Sequence, residues 1–290
     1  MATAERLYTA EALAIKPRQV HFDWDDLPIH YVRGEPLATQ IVNVMHLTLP
    51  EGERAMVAAL SEALPLVDDE RLHEEMVGFI GQEGIHASAH EELHDFLAEH
   101  GLDVTPVVSK LAWLTDRVFN RGGLRGRARR AWLCERLALS AALEHYTAVL
   151  GQWMLDADAL DGVMHPMMLD LCRWHGAEEV EHRNVAFDAY MHVDGGYARR
   201  ARAGIIASVL LMGVFALSTG YLFRHDPSPD KGRWWPLQLV SAVRRGLLPT
   251  GLHLITELPV YLRPGFHPSQ MGPLDTALRY LAQSPAAQAA

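Results

Sequence analysis

Two short stretches of this sequence carry residues spaced for chemistry. The first is Gln82-Glu83-Gly84-Ile85-His86, followed by Ala87-Ser88-Ala89-His90. On a helix Glu83, His86 and His90 stand at i, i+3 and i+7, so a carboxylate and two imidazoles line one face that can bind a metal. The second is His175-Gly176-Ala177-Glu178-Glu179-Val180-Glu181-His182, in which Glu179 and His182 repeat the Glu-x-x-His spacing and His175 lies one turn earlier. One such pair means little in a chain with 16 histidines. Two of them, each facing a helix that adds a single Glu, form the pattern of a dinuclear carboxylate site inside a four-helix bundle.

Two further glutamates fit that pattern. Glu53 shares a helical face with Met56, Val57 and Leu60, where a carboxylate is costly to bury unless it is paired or metal-bound; Glu51 can stay in water. Glu144 interrupts an apolar stretch, and its helical neighbours Leu137, Ser140, Ala141 and Thr147 are mostly small, which leaves room for a metal or a substrate. His145 points about 100° away on the same helix and reads as a structural or orienting residue. Glu178 and Glu181 compete with Glu179, but only Glu179 shares a face with both His175 and His182. Tyr146 and Thr147, beside Glu144, are the candidate proton donors. For any one of these residues a salt bridge or helix cap explains as much. For the set, that account needs four helices each to place a carboxylate on an apolar face with no common cause.

The elements that must position these residues are helical, and the expected fold class is all-α. An apolar segment over 37–49 leads to Pro50, which interrupts the chain or opens a helix reaching about Leu64. Asp68 and Asp69 suit the start of a long helix over 68–100, with Gly101 as its C-terminal cap. Pro106 opens a further helical segment. The spacing then predicts helices over about 131–157 and 163–192. Three parts result: an irregular N-terminal arm over 1–35, in which His21 and His30 are packing or surface residues; a metal-binding bundle over 36–195; and a C-terminal helical extension over 196–290.

Within that extension, 203–223 is 21 residues without a charge, bordered by Arg202 and Arg224 and about 31 Å long as a helix. Serines, a threonine and glycines weaken its hydropathy. A buried helix or a membrane-surface contact is therefore expected ahead of a true span. The Trp234, Trp235 and Pro264–Pro268 region reads as an appendage over the bundle, and Gln283–Ala290 as a disordered tail.

Composition narrows the functions. The chain has 290 residues, 49% of them apolar, enough for a sizeable core. A formal charge of -10 repels phosphate backbones, so no nucleic-acid partner is expected. The basic turn Arg121–Arg130 lacks interleaved aromatics and reads as solvated. Cys134 and Cys172 are too few for a disulfide framework or a thiolate zinc site. With no basic-then-apolar segment in Met1–Arg6, the expected location is cytoplasmic, with membrane association through 203–223 as the alternative.

With these residues in hand, the chain resembles the bacterial family of predicted metal-dependent hydrolases. The matching stretches are Leu49–Arg54, Phe79–His86, Ala142–Thr147 and Trp174–His182, with Pro264–Pro268 as a weaker match. The ligand set is also similar to that of ferritin-like di-iron proteins, which implies a ferritin-like four-helix bundle. The resemblance implies that Glu53, Glu83, His86, Glu144, Glu179 and His182 hold metal; His90 and His175 exceed that set, as extra ligands or as groups that orient it. Two metal ions are expected, iron first, with manganese or zinc as alternatives. The leading expectation is an oxidoreductase that uses O2 between two iron ions to oxidise or hydroxylate an apolar small molecule, served by a redox partner. The alternatives are a hydrolase using metal-activated water, and a non-catalytic metal-binding or membrane-associated helical protein.

Overall fold

The computed structural model describes residues 15–232 and 234–288. Among these residues there is no β-strand, only an isolated bridge between Val32 and Met164, and the chain is all-α. Residues 1–14 of the expected arm lie outside the described residues. The remainder of the arm runs irregularly to Glu35 and buries Phe22, Leu27 and Tyr31.

Helix α1 (Pro36–Ala63) starts on a proline, whose fixed φ suits the first turn. It then continues through Pro50, where the sequence suggested an interruption or a new start. A proline inside a helix removes the bond to the carbonyl four residues back, at a cost of about 3 kcal/mol. Here Val44 and Leu47 on one side of it and Met56 and Leu60 on the other are all buried, so packing holds both halves in line. Helix α2 (Glu70–Glu99) is capped by Asp69, whose carboxylate accepts from the Leu72 N–H at 2.8 Å. Helix α3 (Thr105–Phe119) has Pro106 in its first turn.

Helix α4 (Gly126–Asp156) begins earlier than the expected Ala131, so the second half of the basic turn, Gly126–Arg130, is helical. Arg129 donates from there to Glu62 at 2.7 Å. The helix expected over 163–192 is two: α5 (Pro166–His182) and α6 (Val185–Val193). No Gly or Pro marks the break. Arg183 lies buried at it and donates to the Gly272 carbonyl, a partner that only the tertiary fold supplies.

Helices α7 (Tyr197–His225), α8 (Trp235–Arg244) and α9 (Gly251–Tyr261) follow, then the short α10 (Asp275–Leu281) and α11 (Pro285–Gln288). The tail expected to be disordered is ordered as far as Gln288. Asp170 of α5 accepts from Ser284 Oγ and the Ala286 N–H, both at 2.9 Å. Ala289 and Ala290 lie outside the described residues.

Helix α1 packs on α2 and α4 on α5, while α1 also meets α4 and α2 meets α5, so these four surround a common interior. Two apolar clusters fill it. One holds Leu47, Leu93, Met168 and Trp174; the other holds Met56, Phe79, Leu137 and Ala142. The buried histidines touch both: His182 lies against Phe79 of one cluster and His86 against Trp174 of the other.

Close approach of α4 and α5 depends on two glycines. A Cβ on Gly151 would lie 2.5 Å from the Gly176 carbonyl oxygen, and one on Gly176 would lie 2.8 Å from Gly151 Cα. Backbone cannot move aside as a side-chain tip can. Gly176→Ala is therefore expected to lower stability by about 1–3 kcal/mol, although alanine is by itself the better helix former. Gly213→Ala, with nothing within 4 Å of the added Cβ, is expected to be neutral or stabilising. Urea denaturation of the two variants checks both signs.

Candidate metal centre

Two groups of side chains on these helices converge in the interior. Glu53 of α1, His86 of α2 and His175 and Glu179 of α5 form one; Glu83 of α2, Glu144 of α4 and Glu179 and His182 of α5 form the other. Within each group the candidate ligand atoms lie within 4.8 Å of one another, and Glu179 belongs to both. All seven residues are buried. The α-helical repeat brings Glu83 with His86, and Glu179 with His182, onto single faces; the pairing of the four helices brings those faces together.

The polar atoms of this interior are poorly matched with one another. Both oxygens of Glu53, Glu83 and Glu144, one oxygen of Glu179, His86 Nδ1 and His182 Nε2 are buried without a hydrogen-bond partner among the described residues. Buried carboxylates in that state cost several kcal/mol each unless they are neutralised. The remaining contacts are histidine to carboxylate: His182 Nε2 lies 3.0 Å from Glu144 and 3.2 Å from Glu83, and His86 Nδ1 lies 3.5 Å from Glu179. Imidazole nitrogens and carboxylate oxygens converging without donors to satisfy them are what a divalent cation requires. The residues present therefore fit a bound metal.

Protonation follows the same crowding. Burial, then the neighbouring Glu83, holds the Glu53 carboxyl well above its ordinary range. Burial, then Glu179, pushes Glu144 up to about 8. Burial opposes the charge on Glu179 too, yet His175, His182 and His86 around it hold it well below the usual value. Burial likewise disfavours charged His182 and His86, but their carboxylate partners raise both. In the protein without metal, protons take the place of part of the missing positive charge.

Around this group the outward nitrogens of the histidines are held. His182 Nδ1 is 2.9 Å from Gln82 Oε1, and Gln82 in turn donates to Glu181 at 2.9 Å. His86 Nε2 is 2.8 Å from Glu178, which accepts from Arg18 of the N-terminal arm at 2.7 Å. Such partners fix ring orientation and tautomer and turn the other nitrogen toward the ion. Glu178 and Glu181 thus face Arg18, while Glu179 faces inward.

His175 Nε2 lies 2.7 Å from Glu179, and its Nδ1 meets His90 Nε2. His90 stands outside both groups, because its second nitrogen contacts His46 Nδ1 at 2.6 Å. The row continues to Cys172, whose sulfur is 3.7 Å from His46 Nε2. Burial, then His175, lowers His46 to about 3, and burial lowers His90 and His175 as well.

Of the two proposed proton donors, the Tyr146 hydroxyl bonds Ser208 Oγ at 2.6 Å and Thr147 Oγ1 donates to the Glu144 carbonyl at 3.1 Å. Both border a cavity of about 410 Å³ that reaches His175 and Glu179 and is otherwise walled mainly by aliphatic side chains such as Met45, Leu211 and Leu258. His145 points elsewhere, toward Glu257, Tyr261 and Phe266. Sequence reasoning missed Arg18, His46, Gln82 and the cavity itself. Gln82 stands directly before Glu83, and no local pattern marks the other two.

The chain matches the family described as predicted metal-dependent hydrolase over residues 16–272, and it belongs to that family. No curated protein and no solved structure matches it. The family corrects the leading expectation from the sequence. An O2-using oxidoreductase with a redox partner was expected ahead of a hydrolase, whereas the family is described as one of predicted metal-dependent hydrolases. The physical source of the error is that carboxylates and imidazoles serve equally as ligands for oxygen chemistry and for Lewis-acid chemistry. Ligand type alone does not separate the two reactions.

Two measurements test the centre. Glu83→Ala and His182→Ala are each expected to abolish metal loading while the helical circular dichroism is retained; full occupancy by elemental analysis in either variant overturns its role. The second is pH dependence. Glu144, raised to about 8 from an ordinary 4.5, contributes stability that is fully present below pH 4.5 and lost as pH rises toward 8. Glu53, His86 and His182 are raised too and act in the same direction, whereas lowered Glu179 loses its contribution only below its ordinary value, outside this window. His46, His90 and His175 are lowered and act in the opposite sense up to about pH 7, where the histidines of the unfolded chain lose their protons. From about pH 7 to 8 the raised groups dominate, so the melting temperature of metal-free protein is expected to fall over that range and the stabilisation by added metal to widen.

Proposed function

We propose that this protein is a hydrolase that binds two divalent ions between α1, α2, α4 and α5 and cleaves an ester or amide of an apolar substrate. The observation that carries this reading is that Glu179, common to both ligand groups, also borders the apolar cavity, so a bound substrate reaches the place where ions would lie. Glu53, His86 and His175 would hold one ion and Glu83, Glu144 and His182 the other, with Glu179 between them. A ligand set of imidazole and carboxylate without thiolate suits iron, manganese or zinc. When bound, such ions lower the pKa of water toward neutrality and polarise a carbonyl.

The protein's own groups supply the rest. Gln82 and the Glu178–Arg18 pair keep the rings of His182 and His86 turned inward, so the ligand atoms need no reorganisation during reaction. The cavity binds the apolar part of the substrate and excludes bulk water. Hydrolysis adds OH to the acyl carbon and a proton to the departing oxygen or nitrogen. Tyr146 and Thr147, on the cavity wall, are the groups positioned to give that proton.

The test is hydrolysis of p-nitrophenyl esters of increasing acyl length by protein loaded in turn with zinc, manganese or iron. Activity is expected to rise with chain length, vanish with a chelator, return on reloading and persist without O2. Fully metal-loaded protein that cleaves neither esters nor amides would overturn the reading.

A further inference from the structure

Helix α7 packs on α1 and α4 with Ala203 and Ala207 buried, sets Gly204 against Tyr261 and Leu258 of α9, and presents a different face outward. Ile205, Val209, Met212, Ala216 and Gly220 recur at helical spacing along that outer face, joined by Ile206 and Leu217. Val209 is 67% exposed and Leu217 78%. A helix face turned to water ordinarily carries charge, yet there is none between Arg202 and Arg224. By helix geometry those two arginines stand at the two ends of the same stripe. Helices α8 and α9, which share the cavity wall with α7, expose apolar side chains as well: Trp234, Trp235 and Leu237 at α8, and Leu252 and Ile255 at α9.

Charge on these three helices is opposite to that of the molecule. The chain as a whole has a formal charge of -10, whereas α7, α8 and α9 carry Arg199, Arg200, Arg202, Arg224 and Arg244 against a single acid, Glu257. Glu257 turns inward, 3.5 Å from His145. Arg199 and Arg202 are paired with Glu135, and Arg200 is buried against the Tyr261 and Arg263 carbonyls, which leaves Arg224 and Arg244 exposed and without an ion pair among the described residues. Exposed aliphatic side chains, two exposed tryptophans and two unpaired arginines match the zones of an anionic bilayer surface: acyl boundary, headgroup level and phosphates. Because one side of α7 is taken up by packing on α1 and α4 and only the other is exposed, the helix is suited to lie on a bilayer and not to cross it.

We propose that the outer face of α7, α8 and α9 docks on an anionic lipid bilayer and that the cavity takes its substrate from there. Exposed Met212 and Ile255 belong both to this face and to the cavity wall, so the cavity opens where the lipid would lie. The substrate class is then a membrane-resident ester or amide with a long acyl chain, held with its chain in the cavity and its scissile bond near Glu179. Docking stands on the surface alone; the route of the substrate rests on the hydrolytic reading above.

The experiment is co-sedimentation of the full, metal-loaded chain with vesicles of phosphatidylcholine and phosphatidylglycerol in equal amounts, and with phosphatidylcholine alone. Wild type is expected to sediment with the anionic vesicles and to be released by salt. A Val209→Glu, Leu217→Glu, Leu237→Glu triple variant, whose sites lie outside the cavity wall, is expected to bind them roughly tenfold or more weakly. It should keep its metal content and its rate on a soluble short-chain ester, and lose activity only on an ester carried in vesicles. Arg224→Ala with Arg244→Ala should weaken anionic binding and leave the weaker binding to phosphatidylcholine unchanged. Wild type that stays in the supernatant overturns docking, as does equal sedimentation of the triple variant. A wild-type dimer that the triple variant converts to monomer, with no vesicle binding by either, assigns the face to a second copy and also overturns it. Vesicle binding without hydrolysis of any ester leaves docking intact and rejects only the hydrolytic reading.

Discussion

Four carboxylates buried in one helical interior set the terms for this protein. Glu53, Glu83, Glu144 and Glu179 come from four separate helices, and all are buried. Each uncompensated charge in such a place costs several kcal/mol, and an entire domain is stable by only about 5–15 kcal/mol. Three histidines are too few to neutralise them by hydrogen bonding, as the unpartnered oxygens attest. A cation resolves the conflict, and protons resolve it partly in its absence. The interior is therefore built around a charge that the chain itself does not supply.

That constraint explains features that look like separate details. The glycine contact between α4 and α5 draws the helices bearing Glu144 and His182 close together. Pro50 is carried within α1, so the helix bearing Glu53 runs unbroken past the site. The irregular arm earns its place through Arg18, which ties Glu178 and Glu181 and so leaves Glu179 as the acid turned inward. His90 and His46 brace the ligand His175 from behind.

The cavity joins this polar centre to the apolar surface. It lies between α1, α4 and α5 on one side and α7, α8 and α9 on the other. The C-terminal helices are therefore more than an appendage: they form much of the wall past which an apolar molecule would approach the ligands. The expectation of oxygen chemistry came from the ligands alone. Family membership points to hydrolysis, and a water-excluding pocket beside Lewis-acid ligands is consistent with that chemistry.

The amino-acid sequence by itself determined the all-α class and the residues that come together in the interior. Helical periodicity and ligand spacing are local, so Glu83 with His86 and Glu179 with His182 could be read directly, and Glu53 and Glu144 stood out as charges on apolar faces. Even the choice of Glu179 over Glu178 followed from the helical repeat. Only the tertiary structure decided what depends on distant partners. It continued α1 through Pro50, ended α5 after His182, and ordered the tail on Asp170. It moved His90 one contact outward by setting His46 beside it, and it exposed the apolar face of α7 that the sequence could equally have buried. The physical reason is one of range: a residue's place on its own helix follows from rise and turn, whereas what lies across from it depends on how whole helices pack.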